Sequence, residues 1–221
     1  DAAQTRVHDV TTSEASMTLR YAPGESFVNS KQRRVPVSLD APVFTLTHAM
    51  GFKGVLGGEY NFNRTEASIW KRFWLPASWG KIDCSVKAGA EWNTVPFPLL
   101  ILPEANLSYI TQRETFCLIN NMEFLNDRFA SMSISYDMNG KLFNRIPLLK
   151  NLKWREMFRV RALWGTLTDK NNPFKSSNPD LFRFPTRDGK FTSFVMDPKV
   201  PYVEASVGIY NIFKLLHVEY V

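Results

Sequence analysis

From Phe129 the chain runs Phe-Ala-Ser-Met-Ser-Ile-Ser-Tyr-Asp-Met138 and alternates strictly. Ala130, Met132, Ile134, Tyr136 and Met138 fall on one face, with Ser131, Ser133, Ser135 and Asp137 on the other. After a turn, Phe158, Val160, Ala162 and Trp164 share a face opposed by Arg159, Arg161 and Gly165. Period-two alternation of this length predicts β-strands with one apolar and one polar side. The pattern recurs. In residues 12–21, Ala15, Met17, Leu19 and Tyr21 oppose Glu14, Ser16, Thr18 and Arg20. In 81–90, Ile82, Cys84, Val86, Ala88 and Ala90 oppose Lys81, Asp83, Ser85, Lys87 and Gly89. In 202–210, Val203, Ala205, Val207 and Ile209 oppose Glu204, Ser206 and Gly208. Less regular strands are predicted over 43–50 and 66–75, and another begins at His217. The apolar sides carry aromatic and branched residues; the polar sides carry small residues and full charges. The predicted class is all-β, an antiparallel transmembrane β-barrel with lipid outside and a hydrated lumen inside. A soluble β-sandwich or a lipocalin-like binding module also alternates, and it is the rival reading.

Between the strands lie turn and loop signals. Pro23-Gly24 breaks the first strand. The glycine-dense run from Gly51 to Gly58 lacks the Lys-Ser/Thr of a phosphate loop and predicts a turn or bent strand. Pro76 to Gly80 is a short turn. Prolines 96, 98 and 103 make residues 95–108 a packed loop rather than a central strand or helix interior. Residues 109–124 place Phe116, Leu118, Met122 and Phe124 on one face and bring the expected count to eight or nine strands. Asn139-Gly140 and residues 144–153 join the central pair, with one helical turn. Residues 144–150 and 211–216 echo each other and predict turns at the same end of the barrel. Residues 168–200 form the longest irregular stretch, the kind of loop barrels carry on the extracellular side. If every predicted strand forms, 95–108 then falls at the opposite, periplasmic end.

Charge refines this picture without changing it. The 221-residue chain carries a net +6, but Lys and Arg are scattered among Asp and Glu. The one basic cluster, Lys31-Gln-Arg-Arg34, sits in a predicted loop, so a nucleic-acid partner is not expected. Aromatics are abundant, with 17 Phe, 7 Tyr and 6 Trp. Trp70, Trp74, Trp79 and Trp92 near strand ends are candidates for an interfacial girdle. No run approaches the about 20 apolar residues of a membrane helix. Residues 1–13 show no signal-peptide pattern and read as a poorly ordered or linking segment ahead of a partial outer-membrane barrel domain, residues 14–221. Cys84 and Cys117 match no metal or redox spacing and are expected as unpaired buried thiols.

Candidate chemistry is sparse. His8, His48 and His217 lie far apart, and no nucleophile–base–acid set can be assembled. No catalytic, metal or cofactor site is expected, and a cell-surface hydrolase lacks its acid/base pair. The candidate functional residues are lumen-facing charges: Arg159, Arg161, Glu204, Lys81, Asp83 and Lys87. Such charges cost little against water and much in a closed apolar core. Asp127 and Arg128, at a strand junction, are candidates for anchoring a loop by ion pairing.

Several blocks carry a resemblance: Leu19-Arg-Tyr-Ala-Pro-Gly-Glu, Gly51-Phe-Lys-Gly-Val-Leu-Gly-Gly-Glu-Tyr60, Lys71-Arg-Phe, Val95-Pro-Phe-Pro-Leu-Leu, Glu123-Phe-Leu-Asn-Asp-Arg-Phe-Ala-Ser131, Asn144-Arg-Ile-Pro-Leu-Leu-Lys-Asn-Leu-Lys-Trp-Arg-Glu156 and Val203-Glu-Ala-Ser-Val-Gly-Ile-Tyr-Asn-Ile-Phe-Lys214. Together they resemble the C-terminal barrel portion of a Bacteroidota outer-membrane family of unknown function. Its members pair a carboxypeptidase-regulatory-like domain with a barrel similar to the bacterial surface antigen (BamA/TamA-type) superfamily. The resemblance implies the C-terminal half of a barrel of about 16 strands. It also implies a place in the bacterial outer membrane and a role in envelope biogenesis, protein assembly or translocation, or transport. Outer-membrane lipid is the implied partner, with other outer-membrane or periplasmic proteins beside it. The superfamily's Val-Arg-Gly-Phe/Tyr loop motif is absent, with Asn126-Asp127-Arg128-Phe129 its loosest substitute, so insertase activity is not carried over. The last strand lacks a partner, and an open edge cannot sit in lipid. The reading therefore expects strands outside this stretch.

Overall fold

A computed structural model of the chain describes residues 9–108, 112, 114–176 and 181–221. His8 and the first part of the predicted linking segment lie outside the described residues. Within its described part, residues 9–13, Thr11 and Ser13 are hydrogen-bonded to residues 52–59.

Eight strands form one antiparallel sheet: β1 (Glu14–Tyr21), β4 (Val43–Gly51), β5 (Phe62–Trp74), β6 (Lys81–Glu91), β7 (Arg128–Asp137), β8 (Arg155–Thr166), β11 (Tyr202–Ile212) and β12 (Leu216–Tyr220). They pair in that order, each with its sequence neighbour in the sheet. Two small hairpins stand apart, β2 (Phe27–Asn29) with β3 (Arg34–Pro36), and β9 (Thr186–Arg187) with β10 (Lys190–Phe191). Among the described residues the large sheet does not close: β1 and β12 each pair on one side only.

The cross-strand register puts every apolar strand face on the same side. Leu19 stands opposite Leu46, Leu46 opposite Ala67 and Ala67 opposite Ala88. The row through Phe73, Ile82, Tyr136, Phe158 and Val207 is likewise continuous. This side is uncovered. Even on interior strands, Leu46, Ile69, Val86, Val160 and Val207 are 45 %, 48 %, 44 %, 43 % and 46 % exposed.

The opposite side is the covered one, and two connections cover it. Residues 92–127 and 167–201 leave the same end of the sheet, here called the loop end. Their apolar side chains pack onto it, with Val95, Leu100, Leu125, Leu167 and Phe184 around Phe62, and Phe116, Ile119 and Met196 around Leu163. The charged side therefore carries an apolar cap at the loop end. The strand residues responsible, Phe129 and Leu163, break the polar pattern of their faces. Glycine makes the close packing possible. The Phe129 ring lies over Gly89, where an added Cβ would stand 2.5 Å from it. At Gly165 an added Cβ would stand 2.2 Å from Asn126 Oδ1 and 2.7 Å from Met196 Sδ.

The expected strand over 109–124 does not form among the described residues, which show only isolated bridges at Ala105–Phe116 and Phe124–Phe194. The apolar spacing of Phe116 and Phe124 serves loop-to-sheet packing, not a ladder. With that strand removed, 95–108 moves to the same end as 168–200, which corrects the expected orientation. Residues 177–180 of the second loop lie outside the described residues. The turn end carries residues 75–80, 138–154 and 213–215, so the two echoing turns do share one end. The helical turn expected there is α1 (Pro147–Leu152).

Replacing Gly165 by Val should push Asn126 and the end of the first loop off the sheet. We expect a loss of about 2–3 kcal/mol, read as a lower unfolding temperature and faster proteolysis within 92–127. Unchanged proteolysis would mean that the loop does not depend on this contact.

Candidate functional site

The covered side of the sheet is built from residues that single strands would leave isolated, and register brings them together. Ser133 pairs with Arg161 and Arg161 with Glu204; Ser135 pairs with Arg159 and Arg159 with Ser206. The Arg161 and Glu204 side chains are fully buried and 3.4 Å apart. Arg159 Nη1 donates to both oxygens of Glu219 at 3.0 Å, and Arg161 Nη2 stands 3.9 Å from the same carboxylate. Three neighbouring strands thus share one ion-pair network. Glu204 also reaches off the sheet. It accepts hydrogen bonds from the backbone N–H groups of Cys117 and Leu118 at 2.9 and 2.7 Å, and from the Tyr202 hydroxyl at 2.8 Å. One carboxylate therefore ties the first loop to β11.

The remaining candidate charges are paired as well. Lys87 bridges Glu104 and Glu114 of the same loop at 2.8 and 2.6 Å. Asp83 takes a bidentate contact from Arg72 at 2.6 and 2.9 Å. Lys81 lies 3.7 Å from Asp137, and Asp137 accepts from the Tyr210 hydroxyl at 2.5 Å. All six predicted lumen charges lie on the covered side. The sequence reading missed their partners Arg72, Glu104, Glu114, Asp137 and Glu219. Arg72, Asp137 and Glu219 sit on the same alternating faces, so their parity was available as a signal. Nothing in the sequence pointed to the loop carboxylates Glu104 and Glu114.

Asp127 anchors a loop, by hydrogen bonds rather than an ion pair. It is fully buried and accepts from the backbone N–H of Thr168 at 3.1 Å, from the Thr168 hydroxyl and from Asn171 Nδ2 at 3.0 Å. Arg128 is exposed and makes no ion pair with Asp127. Asn171 Oδ1 in turn accepts from the Val95 N–H at 2.9 Å. Asp127 thus fastens both long loops to each other at the loop end.

Toward the turn end the loops stop, and a cavity of about 450 Å³ opens against the charged face. Trp70, Ser85, Ser133, Ser135, Tyr210 and His217 lie on its walls, from β5 round to β12, so the sheet is curled about it. Trp70 is therefore a lumen-side residue, whereas Trp74 and Trp79 sit exposed at the turn end and Trp92 at the loop end. His48 faces the other side, with Nδ1 2.9 Å from Thr65 Oγ1. Cys84 and Cys117 are free and half-buried rather than buried. Among the described residues no group of three or more His, Cys, Asp or Glu side chains is placed to hold a metal.

Replacing Glu204 by Ala leaves the buried Arg161 with only the more distant Glu219 carboxylate and frees the Cys117 and Leu118 N–H groups. The expected loss is about 3–5 kcal/mol, with amide exchange at 117 and 118 rising toward that of unstructured chain. Slow exchange in this variant would show that the loop is held elsewhere.

No curated protein and no solved structure matches the chain. A family model described as "Family of unknown function (DUF5686) C-terminal domain" matches residues 1–174. With most of its length inside that match, including β1 to β8 and the first of the two loops, the chain belongs to this family of unknown function.

Proposed function

We propose that the chain is part of an outer-membrane β-barrel. Its apolar face would lie against lipid, its charged face would line a hydrated lumen, and residues 92–127 would fill the lumen at the loop end. The single observation that carries this reading is the inverted sheet. A continuous apolar surface over eight strands is exposed, while the ion pairs are on the side the loops cover. A soluble sheet buries the apolar side and leaves the charges in water. A barrel in lipid needs the reverse. Further support comes from Tyr21, Phe44, Phe73, Tyr136 and Phe158, which lie on the exposed side toward the turn end, where a barrel carries an aromatic girdle. The open edges at β1 and β12 fit the C-terminal half of a larger barrel of the bacterial surface antigen type, since lipid tolerates no unpaired edge. A preceding carboxypeptidase-regulatory-like domain and a Bacteroidota source belong to the same reading. The function proposed is envelope biogenesis, by protein assembly or translocation or by transport, without a catalytic residue. Strand edges, lumen charge and the two loops would do the work.

The test is made on the full-length natural protein. It should sediment with outer membranes, leave them only in detergent, and shift its gel mobility on boiling. Free solubility with cooperative unfolding in plain buffer would overturn the reading.

A substitution gives an independent check. Val160→Lys places a charge on the exposed apolar face. Against lipid it should cost about 2–4 kcal/mol and cut the folded, membrane-inserted fraction. Against water the same exposed change would stay within about 0.5 kcal/mol, and that result would overturn the lipid-facing assignment of this side.

A further inference from the structure

The connection between β1 and β4 does more than turn the chain. From Ser26 to Ser38 it forms a two-stranded ribbon, closed by Val37 N–H donating to Ser26 O at 2.9 Å and by a tip in which Ser30 Oγ donates to Arg33 O at 2.8 Å. Phe27 pairs with Pro36, Val28 with Val35 and Asn29 with Arg34. That register sorts the side chains. Val28, Val35 and Val37 lie on one face, with Leu39 following in the same parity. Phe27, Asn29, Arg34 and Pro36 lie on the other, with the Arg34 guanidinium 3.9 Å from the centre of the Phe27 ring.

Among the described residues the ribbon pairs with no other strand and its aliphatic face is uncovered: Val28 is 56 %, Val37 49 % and Leu39 57 % exposed. An isolated two-stranded ribbon is marginal in water, and one with a bare aliphatic face is more so. Its tip is cationic through Lys31, Arg33 and Arg34. The carboxylate of the nearby Glu25 is engaged by Arg20 at 2.7 and 2.8 Å, and that contact, with a smaller pull from Arg34, holds Glu25 below the usual carboxylate range. The ribbon starts five residues after Tyr21, the last residue of the exposed apolar face on β1, and sits at the turn end of that face.

We propose that the ribbon of residues 26–38 is an interfacial foot: Val28, Val35, Val37 and Leu39 enter the headgroup boundary of the bilayer while Lys31, Arg33 and Arg34 bind anionic lipid phosphates. The inference rests on the membrane reading above and deepens it by naming a lipid class and the residues that select it. Charge chooses the occupant. Basic side chains beside a small aliphatic surface match a negatively charged headgroup layer, to which each contributes separately and in a salt-dependent way. The ribbon also follows β1 directly, at the turn end of the surface that the same reading sets against acyl chains.

The three cations are trypsin sites, which supplies the assay. The full-length natural protein is reconstituted into nanodiscs of phosphatidylcholine alone, or of phosphatidylcholine with phosphatidylglycerol. Cleavage after Lys31, Arg33 and Arg34 is then followed by mass spectrometry. Cleavage in the phosphatidylglycerol discs should be about tenfold slower at low salt, and the difference should shrink in high salt. Val37→Asp, which keeps all three sites, should remove most of the protection. Equal cleavage in the two lipids would overturn the proposal. So would equal protection in uncharged detergent micelles, which would assign the face to another part of the chain or a protein partner. A protein that needs no detergent and enters neither disc fails the membrane reading itself. One that enters both discs with its ribbon cut alike fails only this proposal.

Discussion

Each strand of the large sheet has two chemically opposite sides, and the molecule covers only the charged one. Everything else in the structure answers to that constraint. Covered charges must find partners, because an unpaired buried ion is among the costliest features a fold can hold. Register supplies the partners: Arg161 meets Glu204 and approaches Glu219, Arg159 meets Glu219, and Arg72 meets Asp83. The apolar side has no such requirement within the chain.

The network also explains how the two long loops stay in place. Residues 92–127 could not cover a charged face by apolar contact alone. They bring Glu104 and Glu114 to Lys87, and they present two backbone N–H groups to Glu204. At the loop end the strands become apolar through Phe62, Phe129 and Leu163, and ordinary packing takes over. Asp127, with Thr168 and Asn171, joins the loops where the two regimes meet. Toward the turn end the face stays open, and the cavity against Trp70, the serines and Tyr210 is what remains, with Glu114 of the first loop on its wall.

Much of this was legible in the chain. Strict alternation over 81–90, 129–138, 158–165 and 202–210 predicted strands, their faces and the side on which Arg159, Arg161, Glu204, Lys81, Asp83 and Lys87 would fall. Parity survives any tertiary arrangement, because successive side chains of a strand must point to opposite sides. The reading failed where apolar spacing had another cause. Phe116 and Phe124 looked like a strand because they pack downward onto Leu163 and Tyr202. A loop laid flat on a sheet also buries side chains at intervals. The error mattered, since one false strand reversed the end assigned to residues 95–108. Asp127 was recognised as an anchor, but its partners Thr168 and Asn171 lie some forty positions away, and no local pattern marks them.

The sequence by itself determined the strictly alternating strands and the opposition of their apolar and charged faces, because these follow from backbone geometry and local composition. Only the tertiary structure decided which face is covered, which carboxylate serves which cation, and that both long loops share one end. Those are relations between residues distant in the chain. They depend on how strands align and curl, and alternation is equally satisfied by a sheet that hides its apolar side and by one that presents it.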